Sequence, residues 1–354
     1  DNVTFTGTVT ADNFTQLDGT GVTTFSDTID LASDLSFIGN NLTINGADNT
    51  IDGDLTATVD TMFTTGNAAD LDIGGELVQD GDGDSTIGEE ITADKGIEIG
   101  GNLTLKGDAD EVISLSTDGL VDSDIVITGN VGNTDGESLA MNTGAAGDIT
   151  VTGNVGDLGT GDITVNNAAD VTFTGTVTAD NFTQLDGTGT TTFSDTIDLA
   201  SDLSFIGNEL VINGEDNTID GDLLATVDTM FTTGNAADLD IGGELVQDGD
   251  GDSTIGEEIT ADKGIEIGGN LTLKGDADEV ISLSTDGLVD SDIVITGNVG
   301  NIDGESLSMN TGAAGDITVT GNVGDLGTGD ITITNADNVT FTGTVTADNF
   351  TQLD

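Results

Sequence analysis

Closely spaced aspartates in one short segment are the residues best suited to chemistry. Asp80, Asp82 and Asp84 alternate with glycines in DGDGDSTI, and the same segment occurs a second time with Asp248, Asp250 and Asp252. Carboxylates at alternate positions of a turn can converge on one point, and Ca2+ takes roughly six to eight oxygen ligands of this kind. The spacing predicts a Ca2+ site at each turn, with a solvated acidic loop as the alternative.

These segments match a helix-flanked calcium loop only in part. Ser85 stands where such a loop has its glycine, and Ile91 stands where it has its last glutamate. The glycine-rich nonapeptide of repeats-in-toxin proteins does not occur in the chain. Weaker acidic segments of the same kind are Asp52-Gly-Asp54, Asp108-Ala-Asp110-Glu111 and Asp122-Ser-Asp124.

Few groups are available for catalysis. The chain has no His, Cys, Tyr, Trp or Arg, and its lysines are Lys95, Lys106, Lys263 and Lys274. Carboxylates are then the only plausible acid and base groups, but close pairs of them arise by chance among 67 acidic residues. We therefore expect no enzymatic activity. We also expect Lys95 to pair with its neighbour Asp94, and Lys106 to pair with Asp108.

The sequence is a long tandem repeat. Residues 1–168 and 169–336 differ at eleven positions, and residues 337–354 repeat residues 1–18 without change. Near-identity at a fixed period indicates units stacked along one axis. The predicted organisation is a first solenoid unit at 1–168, a second at 169–336 and the start of a third at 337–354. We expect the chain to be a window from a longer repetitive polypeptide.

Apolar residues follow a period of two, interrupted by Gly, Asn and Asp. Segments such as Leu42-Thr-Ile44-Asn and Ile149-Thr-Val151-Thr put apolar side chains on one face, which is typical of short strands. Turn signals such as Asn45-Gly46 separate them, and no segment offers ten residues of helical periodicity free of Gly. The prediction is an all-β solenoid with little or no helix, in which about eight coils of roughly 20 residues form one repeat.

The phenylalanines indicate a stacked core. All five in the first repeat fall in its first part, at Phe5, Phe14, Phe25, Phe37 and Phe63. An aromatic platform for sugars is the alternative, although the usual sugar-stacking residues Trp and Tyr are absent. We expect these rings to fill a wider section of core.

The large excess of acidic residues restricts the classes of molecule that the chain can bind. Four Lys+Arg stand against 67 Asp+Glu, which gives a formal net charge of -63. Nucleic acids and anionic lipids need cationic side chains to displace counterions, so neither is an expected partner. Apolar runs are far shorter than the ~20 residues of a membrane span, so we expect no membrane insertion. Divalent cations, further copies of the repeat and extracellular polysaccharide are the expected partners.

Several phrases carry a resemblance to a known family. VTFTGTVTADNFTQLDGTGTTTFSDTIDL, LSFIGNELVING, GELVQDGDG and GDITVTGNVGDLGTGDITV resemble the β-strand repeats of giant exported bacterial proteins of the filamentous haemagglutinin and autotransporter-adhesin type. The resemblance covers the whole chain. It implies a right-handed parallel β-helix, an extracellular or cell-surface location, and a structural or adhesive role.

The sequence is compatible with two functions. The first is a structural repeat of an extracellular filament or giant cell-surface adhesin, forming a stiff polyanionic shaft. The alternative is an adhesion module that binds carbohydrate with Ca2+ or binds ice. Segments such as Thr4-Phe-Thr6 and Thr150-Val-Thr152 raise the ice-binding possibility, because a flat ladder of threonines can order water. Ordinary strand propensity also explains them.

Overall fold

The fold consists of β-strands joined by short turns. The computed structural model describes residues 1–108, 111–156, 161–275, 279–288, 291–302, 304–324 and 329–353, and none of these forms helix. Every strand pairing within the two compact units described below is parallel, and partner strands belong to successive coils of the chain. The all-β, parallel β-solenoid prediction is therefore confirmed.

The chain divides into two compact units. The first comprises residues 1–179 and 185–188, and the second comprises residues 180–184 and 189–354. The first unit contains these strands: β1 (Val3–Phe5), β2 (Val9–Ala11), β3 (Phe14–Gln16), β4 (Val22–Phe25), β5 (Ile29–Leu31), β6 (Leu35–Ile44), β7 (Asp48–Ile51), β8 (Leu55–Thr65), β9 (Asp70–Ile73), β10 (Glu76–Asp80), β11 (Asp84–Ile87), β12 (Ile91–Ala93), β13 (Gly96–Ile99), β14 (Leu103–Leu105), β15 (Val112–Ser116), β16 (Asp124–Ile127), β17 (Val131–Asn133), β18 (Ser138–Asn142), β19 (Ile149–Val151), β20 (Ile163–Asn167), β21 (Val171–Phe173) and β22 (Val177–Ala179).

The second unit repeats this order from β3 to β21 and ends with a further equivalent of β3. It contains β23 (Phe182–Gln184), β24 (Thr190–Phe193), β25 (Ile197–Leu199), β26 (Leu203–Ile212), β27 (Asp216–Ile219), β28 (Leu223–Thr233), β29 (Asp238–Ile241), β30 (Glu244–Asp248), β31 (Asp252–Ile255), β32 (Ile259–Ala261), β33 (Gly264–Ile267), β34 (Leu271–Leu273), β35 (Val280–Thr285), β36 (Ile293–Ile295), β37 (Val299–Asn301), β38 (Ser306–Asn310), β39 (Ile317–Val319), β40 (Ile331–Asn335), β41 (Val339–Phe341) and β42 (Phe350–Gln352).

Coil length varies along each unit. Ser85 pairs with Leu103, whereas Ile97 pairs with Ile125, so the coil that begins at Ile97 is clearly longer than the one that begins at Ser85. The strands in these pairs have three or four residues, so the difference lies in the turns between them. The predicted length of roughly 20 residues fits the early coils of the unit, which run from Val3 to Thr23, Leu42 and Phe63, but it does not fit the coil that begins at Ile97. The sequence pattern shows strands more clearly than it shows turn lengths, so the longer coil was not predicted.

The length of the sequence repeat does not match the length of a whole number of coils. Within the first unit one column of paired residues runs through Val3, Thr23, Leu42, Phe63, Ser85, Leu103, Val131, Val155 and Val177. Val171 is the sequence equivalent of Val3, but it lies in another column, which runs through Phe14, Leu35, Leu55, Leu77, Ile97, Ile125 and Ile149. The period of the sequence repeat is therefore not a whole number of coils.

Two strands of the first unit, and their equivalents β26 and β28 in the second, are longer than predicted. β6 and β8 have 10 and 11 residues, whereas the pattern predicts strands of about four or five. Gly39 and Asn40 lie within β6, where they form a bulge at which the register between β6 and β8 shifts. Glycine serves both turns and bulges, so the sequence alone does not separate the two.

The core lies inside the coils. Phe25, Phe37 and Phe63 are fully buried, while Phe5 and Phe14 of the first coil are half-buried. Phe5 stacks on Phe25 with ring centroids 5.0 Å apart and planes 10° apart. The five equivalents in the second repeat, Phe173, Phe182, Phe193, Phe205 and Phe231, are all buried. The prediction that these rings form core rather than a sugar platform is confirmed.

Candidate functional site

The DGDGDSTI segment comprises the last residue of β10, the turn at residues 81–83 and the whole of β11. Asp80 and Asp82 are exposed, Asp84 is half-buried, and Gly81 adopts a positive φ of 98°. The Asp80 carboxylate accepts a hydrogen bond from the Gly81 N–H at 2.7 Å. The Asp84 carboxylate accepts bonds from the backbone N–H and the side-chain amide of Asn102, at 3.0 and 3.1 Å. Two of the three carboxylates thus stabilise the turn and the neighbouring coil.

The second copy of the turn has the same arrangement. Asp248 accepts a bond from the Gly249 N–H at 2.8 Å, and Asp252 accepts two bonds from Asn270. Asp250 is exposed, as Asp82 is. Across the described ranges, no three acidic side chains are grouped closely enough to hold a metal ion. The Ca2+ sites at Asp80, Asp82, Asp84, Asp248, Asp250 and Asp252 stay a prediction.

A buried glutamine in the core makes hydrogen bonds that stabilise each acidic turn. Gln79 donates through Nε2 to the carbonyl oxygens of Asp80 and Gly83, at 3.3 and 3.0 Å, and it accepts a bond from the Ser85 hydroxyl at 3.2 Å. Gln247 makes the equivalent bonds in the second copy. The sequence pattern did not identify this residue, because Gln79 occupies the inward position two residues after Leu77, where the period of two predicts an apolar side chain.

The weaker acidic segments have structural roles where they are described. Asp54 accepts a hydrogen bond from the Glu76 N–H at 3.1 Å, and Asp124 accepts one from the Asp148 N–H at 2.8 Å. Asp122 has a positive φ of 69°, a conformation that aspartate tolerates better than most residues. Asp110 of the third segment lies outside the described residues.

Aspartates and asparagines at the corners of the coils form ladders. Each side-chain oxygen accepts a hydrogen bond from a backbone N–H of the next coil, at 2.8–3.1 Å in the four series that follow. In the first unit they are Asn13 to Asp34 to Asp54 to Glu76 and Asp84 to Asn102 to Asn130 to Asn154 to Thr176; in the second they are Asn181 to Asp202 to Asp222 to Glu244 and Asp252 to Asn270 to Asn298 to Asn322 to Thr344. Corner N–H groups, which strand pairing cannot reach, are satisfied in this way.

Replacing one ladder residue tests this role. Asn130 accepts from the Asn154 N–H at 2.8 Å. We expect Asn130→Ala to lower the free energy of unfolding by about 0.5–1.5 kcal/mol, the net contribution of one hydrogen bond. Asn130→Asp keeps an acceptor oxygen and should lose less. Urea unfolding of both variants measures the difference, and equal losses would show that the acceptor does not matter.

Two pairs of glutamates meet across successive coils. In the second unit, burial, repulsion by Glu279 and a hydrogen bond with Glu279 raise the pKa of Glu257 to about 7, with Asp238 and Glu258 adding repulsion. In the first unit, burial and the charge of Glu111 raise the pKa of Glu89 in the same way. Sharing one proton between the two carboxyls of such a pair relieves their mutual repulsion.

The pH dependence of stability should reveal this pair. The folded-state pKa of Glu257 lies above its ordinary value of 4.5, so the folded chain binds the proton more tightly than the unfolded chain does. Its contribution to stability is complete below about pH 4.5 and is lost as the pH rises towards 7. At pH 8 we expect Glu257→Gln to raise the melting temperature by a few degrees. The exposed Glu266, changed to Gln, removes the same charge as a control; an equal gain there would contradict the pair's role.

The pKa of Glu137 is shifted in the opposite direction, below its ordinary value. Its side chain is 1 % exposed, and burial raises its pKa, but hydrogen bonds from the backbone of Asp135, Glu137 and Thr134 and from the Thr134 hydroxyl outweigh burial and hold the pKa below its ordinary value. No periodic signal marks this buried charge in the sequence, since Glu137 lies in the turn before β18.

The expected lysine pairs are wrong. Lys95 pairs with Asp54 at 3.7 Å rather than with Asp94, and Lys263 pairs with Asp222 at 3.3 Å. Within the described ranges no ion pair joins Lys106 to Asp108. Stacking brings Lys95 close to Asp54 of another coil, whereas Asp94 and Lys95 are consecutive residues of the turn between β12 and β13. These exposed pairs contribute at most about 1 kcal/mol each.

Shallow grooves on the second unit are lined largely by charged side chains. One, of about 410 Å3, is lined by Asp216, Asp238, Asp240 and Glu258 among others. Asp216 and Asp238 are direct partners in neighbouring strands, so like charges are stacked there. Such a surface attracts cations.

Comparisons with family models, with curated proteins and with solved structures found no match to this chain. The function proposed below therefore depends on the geometry and on the composition. In the described ranges no helix is long and apolar enough to cross a membrane.

Proposed function

We propose that this chain is a structural repeat region of an extracellular filament or giant cell-surface adhesin, in which the β-solenoid serves as a stiff polyanionic shaft. The observation that carries the proposal is the stacking of coil on coil, with corner ladders that satisfy the turn N–H groups of the next coil. A stack of this kind can be lengthened by adding coils without a new core design. Length and stiffness are then the useful properties.

The distribution of charge supports the polyanionic role. Along the strands, acidic side chains such as Asp30, Asp72 and Glu98 are exposed, while their neighbours in sequence are buried. With a formal charge of -63, the surface must gather counterions. Self-repulsion also keeps such a surface soluble and hydrated, which suits a coat outside the cell.

Labelling of intact cells tests the proposed location. An antibody raised against the exposed Asp80–Asp84 turn should bind cells that produce the protein without permeabilisation, and external protease should remove the signal. Labelling only after permeabilisation would contradict the extracellular proposal.

Divalent cations are proposed as partners of the acidic turns. We expect Ca2+ to raise the melting temperature more than Mg2+ does at equal ionic strength, because Ca2+ accepts irregular sets of oxygen ligands more readily. The double variant Asp82→Ala with Asp250→Ala should lose most of this gain. Asp30→Ala with Asp198→Ala removes the same charge from exposed strand positions and should keep it. Equal stabilisation by both ions, unchanged by the turn variants, would leave only diffuse counterion binding.

An adhesion module remains the second candidate, and one observation favours its ice-binding form. Outward threonines in the first unit form a single column in direct register, at Thr4, Thr24, Thr43, Thr64, Thr86 and Thr104. Parallel strands repeat at about 4.8 Å, so the hydroxyls are regularly spaced. In the second unit Val211 interrupts the corresponding column between Thr192 and Thr232.

Ice growth in the presence of the purified chain tests this candidate. Thermal hysteresis that is lost in Thr64→Glu, and that increases in Val211→Thr, would favour ice binding over the shaft. Absence of thermal hysteresis and of any effect on ice recrystallisation would leave carbohydrate as the ligand class for an adhesion module, to be tested by binding to extracellular polysaccharide with and without Ca2+.

A further inference from the structure

Each unit contains the same small cavity beside a buried glutamate. In the second unit it measures about 20 Å3, and its wall includes Val299, Asn301, Glu305, Leu307 and Val323. Asn301 is 4 % exposed and Glu305 is 1 % exposed, so two polar side chains lie in an otherwise largely apolar interior. Buried polar groups of this kind require hydrogen-bond partners.

The orientation of the Asn301 amide is fixed by one bond. Its Nδ2 donates to the carbonyl oxygen of Glu305 at 2.8 Å. Its Oδ1 is buried and accepts no hydrogen bond from the part of the chain that the structure describes. Rotating the amide to exchange the two atoms would set Oδ1 against a carbonyl oxygen, so the free acceptor beside the cavity is a consequence of the local structure.

In the first unit the equivalent asparagine oxygen accepts a hydrogen bond from the protein itself. There Asn133 Nδ2 donates to the Glu137 carbonyl oxygen at 2.9 Å, and Asn133 Oδ1 accepts from the Gly136 N–H at 3.3 Å. The Thr134 hydroxyl also donates to Glu137 Oε1 at 3.1 Å. Ile302 replaces Thr134 in the second copy and has no hydroxyl. This substitution is one of the few differences between the copies, and it removes a donor from beside a buried carboxylate.

We propose that the cavity of the second unit binds one ordered water molecule, which donates one hydrogen to Asn301 Oδ1 and the other to the carboxylate of Glu305. A volume of about 20 Å3 exceeds the ~10–15 Å3 that one water needs, and two polar partners meet the minimum for an internal water. Ca2+ would require roughly six to eight oxygen ligands, which this largely apolar wall does not offer. The first-unit cavity has the same size but no equivalent unpaired acceptor among its described residues.

A crystal structure of the chain tests the proposal directly. We expect a density peak within about 2.7–3.2 Å of Asn301 Oδ1. An empty cavity, or Asn301 Oδ1 bonded to a protein donor, would overturn the proposal. A peak with six or more oxygen ligands at about 2.3–2.6 Å would identify Ca2+ and would also overturn it.

Filling the two cavities gives a second, independent test. Val323→Ile adds a methyl group to the cavity of the second unit and should displace the water, leaving Asn301 Oδ1 without a partner. Hydrogen exchange of the Leu307 amide, which is bonded to Asp330, should then be about tenfold faster. Val155→Ile makes the matched change in the first unit and should leave exchange of the Leu139 amide unchanged or slower. Equal effects of the two variants would contradict a specific water in the second unit.

Discussion

In the isolated chain of residues 1–354, replacing Gly175 by alanine should lower stability, whereas the same change at Gly7 should not. The two glycines occupy identical sequence, VTFTGTVT, in successive copies. A Cβ atom at Gly175 would lie 2.5 Å from Asn154 Oδ1 and 2.8 Å from the carbonyl group of Gly153 in the preceding coil, while a Cβ at Gly7 would have no atom within 4 Å. Because backbone atoms cannot yield as a flexible side chain does, we expect a loss of about 1–3 kcal/mol for Gly175→Ala.

Urea unfolding measures both glycine variants against the parent chain. The entropy that alanine removes from the unfolded state favours both variants by the same small amount, so their difference isolates the contact between coils. Equal stability of the two variants would show that the coils do not approach as closely as the structure places them.

The second large effect concerns the aromatic core. Phe182→Ala should lower the free energy of unfolding by about 3–5 kcal/mol, because Phe182 is fully buried and packs edge-to-face on Phe193 with centroids 4.9 Å apart. Phe14 occupies the same sequence position in the first copy, but it is only half-buried, so Phe14→Ala should cost clearly less. Calorimetry or denaturant unfolding measures the difference. A larger loss at Phe14 would contradict the burial described for these rings.

The architecture was largely predictable because the alternation of apolar and polar residues indicates both the strands and their buried faces. In segments such as Ile149-Thr-Val151 the inward residues are buried and the threonine is half-exposed, as the period of two predicts. Absence of helix in the described ranges followed from the density of Gly, Asn and Asp. The bulge at Gly39, the long strands β6 and β8, and the unequal lengths of the coils were not predictable, since glycine permits several backbone conformations and turn length leaves no periodic signal.

The candidate site was less predictable than the fold. Alternating aspartates drew attention to Asp80, Asp82 and Asp84, but two of these carboxylates accept backbone or amide hydrogen bonds that depend on the local turn and on the register of stacked coils. Register depends on turn lengths, so the partner of Asp84, Asn102, could not be read from the sequence. The same reasoning explains the error for Lys95, whose partner Asp54 lies in a different coil.

Disulfide trapping between coils tests the central claim most directly, because the chain has no cysteine of its own. Thr64 and Thr86 are register partners on neighbouring strands, so Thr64→Cys with Thr86→Cys places two thiols at a Cα separation of about 4.8 Å, within the range that a disulfide spans. Thr64→Cys with Asp84→Cys shifts the second thiol by two positions along the strand and exceeds that range. We predict rapid, complete oxidation of the first pair and little oxidation of the second. Preferential oxidation of the shifted pair, or of neither, would contradict the stacked parallel register.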